Sequence, residues 1–317
     1  MSSKAPTEHG LSRRALFGAG LGRLARSRLE QLEALTGEDG SAPAAAERGL
    51  GAGQLEQELR RAFDAGGPQP FLRQLEPVAE RLVAAARVEV GQLALDVGAG
   101  DGNVALALAR RGAVTEACDL APAMVERGRA RTDGEGMAIE WHQADVEALP
   151  SGDRVFDVVL SSFGAIWAPR PDRAVAELTR VCRPEGTIAL AVPVPRGFLG
   201  DAIALGREAA GWPAKVQQPE RWGRYETAYL HLFGLEDLEV LDETLQLDFE
   251  DADELWDALS SPAGPLGRAR LARPDQADDL RDQVLRLAAE HGEMSGRVVI
   301  PCPYALLIGR RPPEALP

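Results

Sequence analysis

The feature that most constrains this chain is the segment at residues 93–102, where an apolar run ends in an Asp-x-Gly-x-Gly-x-Gly pattern. The Ala/Leu-rich helical pattern of residues 103–110 follows directly. A buried strand must therefore end, turn sharply and lead into a helix. Glycine allows such a turn and lets the backbone approach a ligand where a Cβ atom would collide. The pattern predicts a strand–loop–helix unit that binds a nucleoside cofactor.

The spacing of the glycines indicates the kind of cofactor. A dinucleotide-binding Gly-x-Gly-x-x-Gly fingerprint would place glycine at position 103, where this chain has Asn103. Instead, the carboxylate Asp96 lies two residues before the first glycine, Gly98. An acid at this position is suited to hold the cationic amino end of a ligand, directly or through a water. An NAD(P)-dependent oxidoreductase is therefore the less favoured alternative.

Composition restricts the partners of the protein. The chain has 317 residues, of which 45% are hydrophobic, so it can bury one large core and a smaller cap. A formal net charge of −14 would repel nucleic-acid phosphates and anionic membrane surfaces, and we expect neither as a partner. No segment approaches the roughly 18 uninterrupted apolar residues of a membrane-spanning helix, so we expect no membrane span.

Cysteine and histidine are few and scattered. The three cysteines, Cys118, Cys182 and Cys302, are odd in number and far apart, so we expect reduced core thiols instead of a disulfide framework. The four histidines are equally dispersed, without the close spacing of a zinc or iron site. The sequence therefore predicts no metal.

The N-terminal residues resemble an export signal only in part. Residues 12–17 read Ser-Arg-Arg-Ala-Leu-Phe, similar to the twin-arginine pattern Ser-Arg-Arg-x-Phe-Leu. The run that follows is rich in glycine and interrupted by Arg23, so it lacks the apolar centre that such signals need. We predict a cytoplasmic location, with a working or relic export signal as the minor alternative. Residues 1–66 are predicted to form a partly disordered leader with some helix.

From residue 92 onwards, apolar runs alternate with helical patterns, which is typical of a doubly wound parallel α/β sheet. Apolar residues at helical spacing within 71–83 predict one amphipathic helix before the first strand. Residues 245–249 and 298–308 have the patterns of two late strands. The other predicted strands are 92–97, 114–119, 138–143, 155–161 and 186–192.

These segments, in this order, resemble the class I S-adenosylmethionine (SAM) dependent methyltransferases. The glycine segment is similar to the first motif of that family, and residues 143–150 and 156–164 are similar to its later segments. Three further segments resemble a branch of small-molecule enzymes related to the ubiquinone and menaquinone C-methyltransferases. These segments are 163–169, 180–186 and 219–223.

The resemblance implies a fold and a domain organisation. The fold would be Rossmann-like, with a doubly wound seven-stranded sheet whose last strand is antiparallel, and with a helical cap. The methyltransferase domain would comprise residues 67–317. Within it, two segments, at about 196–235 and 250–297, would form the cap.

Residues that end successive strands should converge on the ligand, because ligands of open α/β sheets lie beyond the carboxyl ends of the strands. Asp119 ends the second predicted strand, 21 residues after Gly98, which suits a carboxylate that accepts both ribose hydroxyls. Capping the helix that begins near Pro122 is the alternative role. The resemblance implies that Asp145 accepts the adenine amino group and that the N–H of Val146 meets the ring.

The loop after the fourth predicted strand would border both the methionine end of SAM and the acceptor. Ser161, Ser162 and Phe163 are therefore candidates for direct contact. Together, the resemblance and the strand-end positions imply cofactor contacts for the following residues: Asp96, Gly98, Ala99, Gly100, Gly102, Asp119, Leu120, Met124, Asp145, Val146, Ser161 and Phe163.

The implied activity is methyl transfer from SAM to a small organic acceptor by in-line displacement. Alignment of the reacting atoms and exclusion of water supply much of the catalysis in such a step, so a general base is optional. The weak candidates for a base are His231 and Tyr229, with His142, interpreted as a core or edge histidine, His291 and Tyr304 behind them. A protein of the same fold that binds SAM without methyl transfer is the main alternative.

Overall fold

The computed structural model describes residues 52–65, 69–211, 219, 222–223, 232 and 234–313. All described residues belong to one compact unit, residues 49–317. Residues 1–51, which hold most of the predicted leader and the twin-arginine-like segment, lie outside the described residues. Within the described part of the chain, no helix is long and apolar enough to cross a membrane.

A single mixed sheet organises this unit. Its order is β3-β2-β1-β4-β5-β8-β6, and β1 to β5 run parallel. The long β8 is antiparallel to both β5 and β6, which confirms the predicted antiparallel last strand. A three-residue strand that the sequence pattern does not predict, β7, pairs with the start of β8 and raises the number of strands among the described residues to eight. The strands are β1 Leu93–Val97, β2 Val114–Asp119, β3 Ile139–Gln143, β4 Phe156–Ser162, β5 Cys182–Pro193, β6 Glu236–Phe249, β7 Glu293–Ser295 and β8 Arg297–Arg310.

Helices cover both faces of the sheet. Alternate residues of β4 belong to different apolar clusters: Val158 and Leu160 pack with Leu82 on one face, whereas Val159 packs with Leu178 on the other. This two-residue alternation places apolar side chains on both faces, as the doubly wound prediction requires. The described helices are α1 Ala52–Asp64, α2 Pro70–Gln74, α3 Glu76–Ala85, α4 Asn103–Arg110, α5 Pro122–Gly134, α6 Pro171–Val181, α7 Phe198–Ala209, α8 Ala252–Leu259, α9 Gly267–Ala272 and α10 Ala277–His291.

The single helix predicted over residues 71–83 is wrong. The structure has two helices, α2 and α3, with Leu75 between them. The reason is Pro77 in the first turn of α3: proline has no N–H to donate to the preceding turn, and its ring favours the start of a helix over its interior. Before the break, Phe71 and Leu72 of α2 lie in a cleft together with residues at the ends of the strands.

Helix α1 packs against the domain, although the sequence analysis assigned it to the leader. Its residue Leu59 is buried, and the ring of Phe63 lies edge-on to that of Trp167 with centroids 6.5 Å apart. The carboxylate of Asp64 accepts a hydrogen bond from the backbone N–H of Ala123, in the first turn of α5, at 3.1 Å. The domain boundary at residue 66 stays a prediction, but the packed structure already includes α1.

Trp141 of β3 fixes α5 against the glycine loop, and this packing gives a stability prediction. A Cβ atom on Gly128 would lie 2.1 Å from the Trp141 ring, whereas one on Gly134, in the same helix, would have no atom within 4 Å. We expect Gly128→Ala to lower the free energy of unfolding by about 1–3 kcal/mol through overpacking. Gly134→Ala should leave it unchanged or raise it by up to about 1 kcal/mol. Urea denaturation of both variants checks this, and equal stabilities would contradict it.

Candidate cofactor and acceptor site

The glycine loop follows β1 and turns into α4. Gly98, Gly100 and Gly102 all have positive φ, at 66°, 57° and 94°. A Cβ atom on Gly98 would lie 2.8 Å from the backbone of Gly164, and one on Gly102 would lie 3.0 Å from the Trp141 ring. These two glycines are therefore required by protein packing as well as by the turn. Gly100 is the most open of the three, with Leu72 as the nearest group at 3.4 Å.

A cleft lies over this loop, at the carboxyl ends of β1, β2 and β4. One side has backbone and polar groups from the strand ends, and the other is apolar and comes from α1, α2, α7 and residues 263–265. Its described lining consists of Phe63, Phe71, Leu72, Leu75, Gly98, Gly100, Asp119, Met124, Ser162, Phe163, Gly164, Ile166, Trp167, Leu199, Ile203, Ala263 and Pro265.

Asp96 lies beneath the loop and is almost completely buried, with 1% of its surface exposed. One carboxylate oxygen accepts a hydrogen bond from the N–H of Ala105, in the first turn of α4, at 2.9 Å, and the other, Oδ1, has no hydrogen-bond partner in the described structure. Burial raises the pKa of Asp96 to about 8; the Ala105 N–H opposes the shift and the negative charge of Asp119 adds to it. Asp96 is thus a costly buried acid with an unsatisfied oxygen.

Asp119, at the end of β2, holds the loop in place. One of its oxygens accepts a hydrogen bond from the N–H of Gly100 at 2.9 Å and the other from Ala121 at 3.0 Å. Burial raises the pKa of this carboxyl, against the effect of these two N–H groups. The alternative role as helix N-cap is wrong: α5 has Ala121 at its N-cap position, and the N–H of Ala123 bonds to Asp64 instead.

The other predicted cofactor residues differ in whether they line the cleft. Met124 is buried and lines it. The Ala99 N–H donates to the carbonyl of Cys118 at 2.9 Å, which ties the loop to β2. Asp145 and Val146 form a turn beside Asp119, because the N–H of the preceding residue donates to the Asp119 carbonyl at 2.9 Å. Seven of the predicted cofactor residues are not among the described residues that line the cleft: Asp96, Ala99, Gly102, Leu120, Asp145, Val146 and Ser161.

The two serines at the end of β4 differ in what they contact. The hydroxyl of Ser161 donates to the Val97 carbonyl at 2.6 Å and accepts from the Ala165 N–H at 2.9 Å, so it ties β1 to the turn after β4. Ser162 lines the cleft, but its hydroxyl is buried and has no hydrogen-bond partner in the described structure. Next to it, Phe163 lines the cleft with a φ of 54°, a strained conformation for a bulky residue.

None of the described candidates for a general base lines the cleft. His142 lies on the edge strand β3, 3.4 Å from the carboxylate of Glu116, which confirms its interpretation as an edge histidine. His291 pairs with Asp201 at 3.2 Å. Tyr304 packs edge-on to Phe163, and burial raises its pKa to about 12, so it remains protonated at neutral pH. His231 and Tyr229 lie outside the described residues.

A polar network joins α2 and α3 to the glycine loop. The side-chain amide of Asn103 donates to the Leu72 carbonyl at 2.7 Å and its oxygen accepts from Arg131, also at 2.7 Å. Arg131 in turn contacts Glu76 of α3 and lies 3.2 Å from the carboxylate of Asp101. Asn103 therefore holds the chain above Gly100. The sequence pattern gives no sign of this role, because Asn103 stands out there only as a residue that is not glycine.

The apolar wall of the cleft was largely missed by the sequence analysis. Its members come from segments far apart in the chain, such as Phe63 of α1, Trp167 after β4 and Ile203 of α7. Phe63 and Phe71 belong to apolar stripes that the sequence does show, but a stripe alone does not distinguish a side chain that faces the sheet from one that faces a cleft.

The chain is similar to known methyltransferases in sequence. A family model described as a methyltransferase domain matches residues 95–190. An uncharacterized protein of Mycobacterium tuberculosis is 34% identical over 225 residues, which span 68% of this chain and 81% of that protein. A demethylmenaquinone methyltransferase of Clavibacter sepedonicus is 38% identical over 115 residues, or 34% of this chain and 46% of that enzyme.

The fold is also shared with a solved structure. The crystal structure of the YcgJ protein of Bacillus subtilis superposes with a TM-score of 0.51 and 19% identity, covering 75% of this chain and all of the other. At that identity the likeness concerns the fold alone. Sequence and fold together show that the chain belongs to the class I SAM-dependent methyltransferases, as the resemblance implied.

The different contacts of Ser161 and Ser162 predict different effects of substitution on stability. Ser161→Ala leaves a buried carbonyl and a buried N–H without their partner, so we expect a loss of about 1–3 kcal/mol in the free energy of unfolding. Ser162→Ala removes a buried hydroxyl that makes no hydrogen bond, and should change stability by less than about 0.5 kcal/mol. Urea denaturation distinguishes the two. A larger loss for Ser162→Ala would show that these assignments are reversed.

Proposed function

We propose that this protein transfers a methyl group from SAM to a small organic acceptor by in-line displacement. The observation that carries the proposal is the meeting of Asp96, the glycine loop and Asp119 beneath one cleft whose other wall is apolar. Membership of the family implies that SAM is the methyl donor.

The residues present fit this group. The orphaned Oδ1 of Asp96 offers a buried acceptor for the cationic amino group, directly or through a water. Each oxygen of Asp119 already accepts one backbone N–H and keeps a lone pair for a ribose hydroxyl. We assign Asp145 and Val146 to the adenine, and the remaining predicted contacts to Gly98, Ala99, Gly100, Gly102, Leu120, Met124, Ser161 and Phe163. For Ser161 the contact would be made by its backbone, because its hydroxyl is engaged within the protein.

The chemistry divides between cofactor and protein. When bound, SAM supplies an electrophilic methyl group on a sulfonium. The chain supplies the apolar wall that excludes water, the loop that fixes the donor, and Ser162 and Phe163 beside the acceptor. A base is not part of the proposal. His231 and Tyr229 remain predictions for that role.

The alternatives are less well supported. An NAD(P)-dependent oxidoreductase would need glycine at position 103. This chain has Asn103 there, and its side chain is bonded to Leu72 and Arg131. A SAM-binding protein without methyl transfer shares the same site and differs only in turnover.

We further propose a cytoplasmic location and no nucleic-acid partner. The location follows from the supply of SAM inside the cell, and the absence of a nucleic-acid partner follows from the net charge of −14.

The direct test is turnover. The full chain is incubated with SAM and a panel of small oxygen, nitrogen and carbon nucleophiles, and S-adenosylhomocysteine and methylated product are measured. We expect product above the background without enzyme for at least one acceptor. Binding of SAM by calorimetry with no product across the panel would favour the non-transferring alternative, and tighter binding of NADH than of SAM would favour the oxidoreductase.

Asp119 provides a test of the cofactor pose. Asp119→Ala removes the acceptor for the ribose hydroxyls and releases the N–H of Gly100, so we expect SAM binding to weaken by about 1–3 kcal/mol. Asp133→Ala removes an exposed carboxylate elsewhere in the chain and serves as the control for net charge. Calorimetric titration of both variants with SAM checks this. Equal affinities would refute the role of Asp119.

Asp96 predicts a pH dependence. The pKa of Asp96 is about 8 in the folded protein, above its usual value of 3.8. Between these two pH values, the Asp96 carboxyl therefore holds a proton in the folded protein without ligand. The free energy of unfolding falls as pH rises through this window, because the unfolded chain has lost that proton. A cationic ligand beside Asp96 lowers this pKa and expels the proton. We therefore expect SAM affinity to rise with pH up to about 8.

Calorimetry at pH 7 measures the linked proton directly. Two buffers of different ionisation enthalpy should give different apparent heats for SAM binding to the wild type, equivalent to release of up to about one proton. Asp96→Asn carries no proton to release, and its heats should agree between the buffers. Equal heats for the wild type would show that the ligand does not interact with Asp96.

A further inference from the structure

A second pocket adjoins the cleft on the side away from the glycine loop. It lies between α1, α7 and residues 262–268, and it shares four lining residues with the cleft. The shared residues are Phe63, Trp167, Ile203 and Pro265. The edge-on pair of Phe63 and Trp167 therefore stands where the two cavities meet.

The far end of this second pocket is basic. Arg207 of α7 and Arg268 of α9 line it, and their side chains are only 9% and 13% exposed. Arg268 contacts the carboxylate of Glu58 in α1, and burial lowers its pKa to about 10. Among the described residues that line the pocket, these two arginines are the only charged ones. Two buried guanidinium groups at one end of an apolar cavity form an environment suited to an anion.

We infer that the two cavities together bind an acceptor with an apolar body and a carboxylate at one end. The body would lie against Phe63, Trp167 and Ile203, and the carboxylate would lie between Arg207 and Arg268. The methyl-accepting atom would then be at the opposite end of the molecule, beside Ser162 above the glycine loop. This inference rests on the proposed function and adds to it the chemical class of the acceptor.

The geometry favours a carboxylate because a guanidinium is planar and offers paired N–H donors that match its two oxygens. Glu58 already contacts Arg268, which shows that a carboxylate reaches this guanidinium within the fold. A neutral acceptor would gain the apolar contacts but would offer no charge to the two guanidinium groups, which already lie near Glu208 and Glu58.

The test uses 2-naphthoate and its neutral methyl ester as matched probes on the full chain, with binding followed by calorimetry. We expect 2-naphthoate to bind about tenfold more tightly than the ester. Arg207→Met and Arg268→Met should each reduce this preference to less than about threefold. Glu58→Gln, which keeps both guanidinium groups, should preserve or increase it. Equal binding of acid and ester by the wild type, or an unchanged preference in both Arg→Met variants, would overturn the inference.

Titration of the same variants with SAM separates this inference from the proposed function. Unchanged SAM affinity in Arg268→Met shows that the fold and the cofactor site persist. If Arg268→Met loses SAM binding as well, Arg268→Lys replaces it, and this variant should keep a preference for the acid because it keeps the charge. SAM binding without any preference for the acid refutes the acceptor class alone. A preference for the acid without SAM binding refutes the proposed function alone.

Discussion

The close approach of two glycine backbones, Gly98 after β1 and Gly164 after β4, is the constraint on which the site depends. A Cβ atom on Gly164 would lie 2.4 Å from the Gly98 carbonyl oxygen, so neither position has room for a side chain. Ser161 reinforces the contact by bonding to Val97 and Ala165. The neighbouring ends of β1 and β4 are thereby joined, and this contact forms the floor of the cleft.

The two buried carboxylates near this floor cost the fold free energy. Asp96 and Asp119 are both buried, and burial raises the pKa of each. The negative charge of Asp119 adds to the shift of Asp96, whose pKa of about 8 expresses the free energy needed to ionise it. Backbone N–H groups of the loop and of α4 offset part of this cost. A cationic ligand would offset more. Perturbed acids of this kind cluster at functional sites, which supports the proposed role of Asp96 in binding a cation.

The sheet was predicted well because its signal is local. The predicted strands 92–97, 114–119, 138–143 and 155–161 match β1 to β4 within a residue or two, because each is short and ends at a turn. The predictions at 186–192 and 245–249 were too short: β5 begins at Cys182 and β6 at Glu236. Errors arose where one residue changed the outcome, as at Pro77, which splits a predicted helix in two. The short β7 is too brief to give a pattern and depends on its partner β8 for its hydrogen bonds.

The sequence by itself determined the order of the main strands, the family, and the acidic and glycine residues of the glycine loop, because these follow from periodicity and from short motifs. Only the tertiary structure decided which residues form the apolar wall, and that Asn103, Ser161 and Gly102 serve packing and positioning. It also placed Arg207 and Arg268 together, although 61 residues separate them in the chain. Contacts of that kind arise from how helices pack over the strand ends, and local sequence patterns carry no record of such packing.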